Sequence, residues 1–373
     1  MDMNVRVCSI AALALLAGGV AAAESEGAAD APTSLVISGY FDGSYSNLSG
    51  AGVFTSGTAD RVFDVKSDGF SLQQAAVTFA YQPKEGLGAV LNVTAGNDAN
   101  LIASYGAITG GTNKFDVTQA FLQYATGPLT VIAGKFVTLS GAEVINSPTN
   151  ANFSRSILFG YAIPFTHTGL RATYAATDTV SLILGVNNGW DALKNANSGK
   201  TLEVGGTYTP SKALAFAASG YIGKQRIGGL VDTGPEGTRS LIDLVATWNV
   251  TDSLSFVLNY DWAKQAGVTD GVKSPIDAKW SGLAAYANYT ISDQWKASLR
   301  AEYFDDADGY RTGVAQKWKE VTATLAYLPT KALELRVEAR ADTSDESAFV
   351  KKIETASVTS SQNSVAVQAL FKF

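Results

Sequence analysis

Sulfur is almost missing from this chain: among 373 residues there are two Met and one Cys, at Met1, Met3 and Cys8. All three lie in a stretch that reads as a secretory signal peptide. Arg6 precedes an apolar run over 7–20, Ala21-Ala22-Ala23 supplies small residues, and polar Glu24-Ser25-Glu26 follows. Cleavage after Ala23 leaves a mature chain without sulfur, which excludes disulfides, thiolate metal sites and cysteine nucleophiles. Histidine is as scarce. His167 is alone, so a His-based metal cluster is excluded and a Ser-His-acid site has one position to use. Its setting, Pro164 to Gly169 near a strand start, points to a structural or lumen-facing polar role. Basic blocks are absent, and a net charge of -6 with a pI near 5.0 excludes nucleic acid as a partner. Beyond the N-terminus no run reaches the roughly 20 apolar residues that a helical membrane span needs. Gly134-Lys135 is not a phosphate loop, because Leu129 and Phe136 stand where Gly and Ser/Thr are required. No catalytic residue, metal or cofactor is expected.

What is present is period-2 alternation, clearest over 333–342 and 365–373, with apolar residues on one face and polar or charged ones on the other. Seven joints between strands share one form, an aromatic, a short turn, then an apolar residue: Tyr81/Leu87, Tyr124/Leu129, Tyr174/Val180, Tyr208/Leu214, Trp248/Leu254, Tyr289/Trp295 and Tyr327/Leu333. Eight longer Gly/Asn/Asp-rich segments alternate with them, at roughly 46–69, 96–114, 138–163, 188–200, 224–239, 264–278, 305–317 and 343–362. Short and long connections in strict alternation predict sixteen antiparallel strands in an up-and-down transmembrane β-barrel, with short periplasmic turns and long extracellular loops. The joint aromatics share a face with Ala, Gly, Leu and Val, as an interfacial girdle over a lipid-facing band does. The expected organisation is signal peptide 1–23, periplasmic tail 24–33 and barrel 34–373. Two slips interrupt the alternation: one between Phe70/Leu72 and Val77/Phe79/Tyr81, and one at Lys135, which falls on the outward parity of Leu129, Val131 and Ala133. A bulge or the strand's exit from lipid accounts for the second.

With the aromatic face outward, the opposite parity lines the lumen with Tyr40, Asp42, Arg171, Glu203, Asp243, Asp261, Lys296, Arg300, Glu302, Glu320, Glu334, Arg336, Glu338, Arg340 and Asp342. Facing lipid, a mid-depth Arg or Lys would cost about 2–4 kcal/mol, so the faces are assigned by charge. Such charge density calls for water, and sixteen strands leave room for an aqueous channel unless something fills it. The third loop, 138–163, is the candidate obstruction, carrying Glu143, Asn146, Asn150, Asn152 and Arg155. Folded inward, it faces strands thirteen and fourteen and sets Glu143 against Lys296, Arg300 and the Arg336/Arg340 row. The alternative leaves Glu143 and Arg155 on a solvated surface loop, with the wall charges pairing among themselves.

The segment Gly134-Lys135-Phe136-Val137-Thr138-Leu139-Ser140-Gly141-Ala142-Glu143-Val144-Ile145 resembles, together with 152–156, 163–169 and Asn188-Gly189-Trp190-Asp191, the OmpL-like β-barrel porin family of Gram-negative bacteria. The resemblance runs from about Leu35 to Phe373 and is most specific over 134–170. It implies an outer-membrane, porin-like protein and carries over no catalytic residue. General porins fold the corresponding loop into the lumen.

The leading expectation is a water-filled porin for passive diffusion of small hydrophilic solutes or ions, and not an enzyme. The alternative is a structural or adhesive barrel closed by loops such as 47–69 and 345–362, without channel activity. The expected partners are outer-membrane lipid and the barrel assembly machinery, the latter through the alternating C-terminal strand that ends at Phe373. By analogy with general porins alone, a homotrimer is expected.

Overall fold

The computed structural model describes residues 34–49, 61–64, 68–106, 114–194, 197–227, 235–268, 275–352 and 357–373. The expected signal peptide and periplasmic tail lie outside these residues. In chain order the strands are β1 (Val36–Leu48), β2 (Gly69–Tyr81), β3 (Gly86–Ala95), β4 (Phe115–Thr126), β5 (Leu129–Val137), β6 (Thr166–Ala175), β7 (Val180–Asn187), β8 (Thr201–Ser211) and β9 (Leu214–Arg226). There follow β10 (Glu236–Asn249), β11 (Leu254–Val268), β12 (Ile276–Ser292), β13 (Trp295–Asp306), β14 (Gln316–Tyr327), β15 (Leu333–Ser344), the short pair β16 (Phe349–Lys352) and β17 (Ser357–Thr359), and β18 (Ser361–Lys372). Sixteen of these close into one barrel of antiparallel neighbours. β16 and β17 form a separate hairpin within the eighth loop.

Backbone pairing holds each strand to the next, and alternation decides which face is dry. Along β14 the inward residues Gln316, Trp318, Glu320, Thr322 and Thr324 are buried, and the outward Val321 and Leu325 are exposed. Outward Tyr124, Tyr174, Tyr208, Trp248 and Tyr289 are each about half exposed, beside the short turns. Trp248 lies against Phe256 at 6.1 Å and Trp295 against Tyr327 at 4.7 Å, cross-strand pairs that stiffen this belt. Hydroxyls fix two of the turns: Thr177 Oγ1 accepts from the Val180 N–H at 3.0 Å, and Thr251 Oγ1 from Leu254 N–H at 3.0 Å. The seam joins β1 to β18, where Gly39 and Phe373 exchange N–H···O bonds of 2.9 and 3.0 Å.

Both slips in the alternation are bulges or kinks. Asp42 pairs with Gln74 and Gly43 with Leu72, which leaves Gln73 as the extra residue and turns Gln73 and Gln74 both inward. In the neighbouring pair, Asn92 faces Gln119 and Val93 faces Val117, so Thr118 is extra. Lys135 does not reach lipid. It follows Gly134, whose φ is 139°, and lies buried with Nζ 3.0 Å from Asp116 Oδ2 and 2.8 Å from the Val117 carbonyl.

Candidate functional site

The third loop, 138–165 between β5 and β6, runs inside the barrel. Its neck is closed by one side chain: Asn150 Oδ1 accepts from Val144 N–H at 2.9 Å while Nδ2 donates to the Val144 and Asn146 carbonyls at 2.8 and 3.1 Å. Arg155 acts within the loop, donating from Nη2 to the Ile145 carbonyl at 2.9 Å and Ser147 Oγ at 3.1 Å. The far end carries a five-residue π-helix, Leu158–Ala162. Its return into β6 is held by loop four, where Asp191 Oδ1 accepts from Phe165 and Thr166 N–H at 2.8 and 2.9 Å. Burial raises the Asp191 carboxyl above the ordinary range, and those two hydrogen bonds oppose the shift.

The wall binds the loop mainly through its backbone. Carboxylates accept loop N–H groups: Asp243 from Gly141 at 3.0 Å, Glu338 from Phe153 and Ser154 at 2.7 and 2.9 Å, and Glu302 from Ile157 and Leu158 at 3.0 and 3.2 Å. Arginines donate to loop carbonyls: Arg300 to Ser154 at 2.7 Å, Arg340 to Arg155 at 2.7 Å and Arg336 to Asn152 at 3.3 Å. Asn152 Nδ2 reaches Thr324 Oγ1 at 2.7 Å. Among the described residues one ion pair joins loop three and wall side chains directly, Glu143 Oε1 to Arg300 Nη1 at 2.7 Å. Arg300 also lies 2.9 Å from Glu320 and 3.3 Å from Glu302. Charge-assisted bonds of this kind are the stronger class, and here they are shielded from water.

The remaining expected lumen residues are on the inner face, and all but Lys296 border packed protein instead of open water. Arg340 pairs with Asp342 and Arg336 with Glu334, each at 2.7 Å. Arg171 pairs with Glu203 and covers the Phe136 ring at 4.2 Å. Tyr40 bonds Gln74, and Asp42 accepts from Gln368 at 2.8 Å. Asp243 and Asp261 face each other across β10 and β11. Lys296 departs from the expected opposition to Glu143: it is exposed near the turn end of β13, whereas Glu143 is only 5% exposed. Glu143 and Arg155 therefore do not sit on a solvated surface.

An apolar cluster within the barrel was not expected. Leu158, Phe159 and Ile163 of the loop pack among Phe63, Leu241, Trp280, Phe304 and Trp318. Leu158 seats on Gly282 of β12, where a Cβ would come within 2.6 Å of its Cδ1. Loop one adds Arg61, whose Nη2 lies 2.6 Å from Asp342, and the hairpin of loop eight sets Phe349 5.0 Å from Trp318. A cavity of about 40 Å³ lies under loop three, beside Leu139, Ala142, Ala217 and Val245. That volume is of the order of one or two waters. The signal was in the parity: Trp280, Phe304 and Trp318 fall on the charged face, where lipid has no use for them.

Loop two also turns inward. Helix α1 (Asn97–Ile102) buries Asp98, which accepts from Gln74 Nε2 at 2.7 Å. Burial pushes its carboxyl up to about 7, against the opposing effects of Arg155 and of the Gln74 hydrogen bond. His167 is buried, with Nδ1 3.1 Å from the Gly189 carbonyl and its ring stacked on Tyr221 at 4.7 Å. Among the described residues no three His, Cys, Asp or Glu side chains form a group suited to a metal ion.

A closed barrel of sixteen strands with an apolar, aromatic-edged outer band and a charged interior is an outer-membrane β-barrel. The family described as putative beta-barrel porin-2, OmpL-like, matches residues 34–373, and the chain belongs to it. No curated protein matches the sequence. The fold is similar to that of the outer membrane channel DcaP of Acinetobacter baumannii, with TM-score 0.63, 14% identity, and coverage of 91% of this chain and 97% of that one. It is also similar to OmpT of Vibrio cholerae in a trimer form, with TM-score 0.61, 12% identity and coverage of 91% and 99%. An anion-selective porin from Comamonas acidovorans gives the same four values. At such identities the three structures speak to the fold alone.

Proposed function

We propose that this protein is an outer-membrane channel for passive diffusion of small hydrophilic solutes or ions, with its path running past loop three, and that the conformation described is closed. One observation carries the reading: Arg300, Arg336 and Arg340 stand among Glu302, Glu320, Glu334, Glu338 and Asp342 inside the barrel. A lumen that is always filled is held at least as well by apolar packing as by buried ion pairs, which lose most of their Coulomb gain to desolvation. Charge on this wall is useful when water and ions reach it. In this reading the lumen-facing residues line the path, and Glu143, Asn146, Asn150, Asn152 and Arg155 build its constriction.

Export by a signal peptide cleaved after Ala23, insertion through the strand ending at Phe373, and a homotrimer in outer-membrane lipid belong to the same proposal. The reading is non-enzymatic, with His167 in a structural role, 3.1 Å from the Gly189 carbonyl and stacked on the Tyr221 ring.

A second reading, a structural or adhesive barrel, is favoured by the apolar cluster inside the lumen. Single-channel recording of the refolded protein in a planar bilayer, with a salt gradient, separates the two. Discrete steps support the channel, and folded protein without steps at any voltage supports the closed barrel. Within the channel reading, Glu143→Gln removes one negative charge from the loop and shifts the reversal potential toward anions; an unchanged potential removes Glu143 from the constriction.

A further inference from the structure

Asp243 of β10 and Asp261 of β11 are directly opposed in the ladder and both point inward, 1% and 0% exposed. Side chains directly opposed in an antiparallel pair are neighbours, with Cβ atoms about 4.5–5.5 Å apart, so the two carboxyls share one place on the inner face. Asp243 Oδ2 has its donors, Gly141 N–H at 3.0 Å and Asn259 Nδ2 at 2.7 Å. Asp261 has none: both of its oxygens are buried without a hydrogen-bond partner. Among the described residues neither aspartate forms an ion pair. The groups around the pair do not supply a positive charge. Ser219 of β9 and Asn259 of β11 are neutral, β12 opposes Asp261 with Gly282, loop three brings Leu158 to that glycine, and the charge acting from β13 is Glu302, also negative.

Two directly opposed acceptors, one of them unpartnered and shielded from water, lack a donor between them. We infer that Asp243 and Asp261 are a proton-binding site, one proton shared between two carboxyls, and that it latches loop three in its inward position. Like-charged carboxyls sharing one site hold a proton because both cannot ionise at close range. The protonated Asp261 donates to Asp243, and Asp243 keeps its charge for the Gly141 N–H at the start of the loop. Asn259 extends the latch by one residue, accepting from Ala142 N–H at 3.0 Å. A cation is the poorer occupant, since hard cations take six or more oxygens and the Asp261 side of the pair is bounded by Gly282 and Leu158.

The proton is bound by the closed form and released when the pair is wetted, so raising the pH favours loop release, by up to about tenfold in the closed-to-open ratio per pH unit for one proton. The test pairs a spectroscopic readout with a functional one. Infrared difference spectra of wild type against Asp261→Asn, in bilayers at neutral pH, should contain a protonated-carboxyl band that the variant lacks. The Asn amide donates to Asp243 as the shared proton does, so the variant stays closed where the wild type opens as the medium turns alkaline. Asp243→Asn, which keeps an acceptor for Gly141, serves as the second variant if the first does not fold. Absence of a protonated-carboxyl band that either variant removes overturns the inference. So does a variant whose pH response matches wild type. The functional arm rests on the channel reading and the infrared arm does not: a band without conductance keeps the proton site and sinks the channel.

Discussion

Arg300 has three carboxylates around it, Glu143 from the loop and Glu302 and Glu320 from the wall, and none of the four is open to water. One guanidinium thus balances several negative charges, and its removal leaves them repelling one another in a dry site. Arg300→Met should destabilise the barrel by about 3–5 kcal/mol, the usual size of a broken buried pair. Denaturant unfolding in detergent measures this, and a loss under about 1 kcal/mol would mean that water already screens the cluster. Asp98 on α1 behaves differently, because burial holds its carboxyl near 7 against an ordinary 3.8. A carboxyl raised on folding stabilises the docked state in full below its unfolded pKa and loses that contribution as pH rises through the folded one. Proteolytic cutting of loop two should therefore increase as pH passes through about 7, and Asp98→Asn should abolish that increase. A flat profile in the wild type would remove Asp98 from the docking of α1.

At the scale of the element, strands and loops were unequally legible. Strands write themselves in period 2 because lipid and lumen demand opposite side chains at alternate positions. The turn aromatics and the even strand count followed from that demand, and so did the inward row of charges on β13, β14 and β15. The slips near Gln73 and at Lys135 were visible as broken parity, but nothing short of the register and the backbone told a bulge or kink from a strand end; the extra residue at Thr118 was not read at all. Loop three was legible as a location and as two open alternatives, Glu143 turned inward toward bases such as Arg300 or left on a solvated surface, but its backbone docking was not. Its docking is read by Asp243, Glu302, Glu338, Arg300 and Arg340 through peptide N–H and C=O groups, which every residue offers alike, so the loop's own sequence need not record it. Asn150 is the exception, since its amide closes the neck through three bonds at once. Asn150→Ala leaves the Val144 N–H and C=O without partners in a partly buried place, at the lower end of the about 1–3 kcal/mol that an unsatisfied buried group costs. Faster hydrogen exchange at Val144 and its neighbours, with the strand amides unchanged, is the expected outcome. Unchanged exchange at Val144 would show that the neck is held from elsewhere.

For the whole molecule, two structures with different energetics share one chain. The wall is an unbroken cycle of paired strands closed by the Gly39–Phe373 exchange, and it satisfies its own backbone without help from the interior. The filling is a soluble-protein core in miniature, with Leu158, Phe159 and Ile163 packed on inward aromatics and bordered by ion pairs. In lipid the wall has no dry alternative, because an open edge would strand unpaired N–H and C=O groups in hydrocarbon. Were the filling lost, the exposed charges would meet water that the lumen of a sixteen-strand barrel has room for. The two parts should accordingly separate. Replacing residues 141–161 by a short Gly/Ser linker should leave the barrel folded, with its heat-dependent shift in gel mobility intact, and raise single-channel conductance several-fold. Arg300, Arg336 and Arg340 would then face solvent, where pairing with Glu320, Glu334 and Asp342 contributes little and salt screens it. A linker variant that fails to fold in lipid would show the opposite dependence, with the interior core needed to close the wall. The channel reading would then lose its moving part.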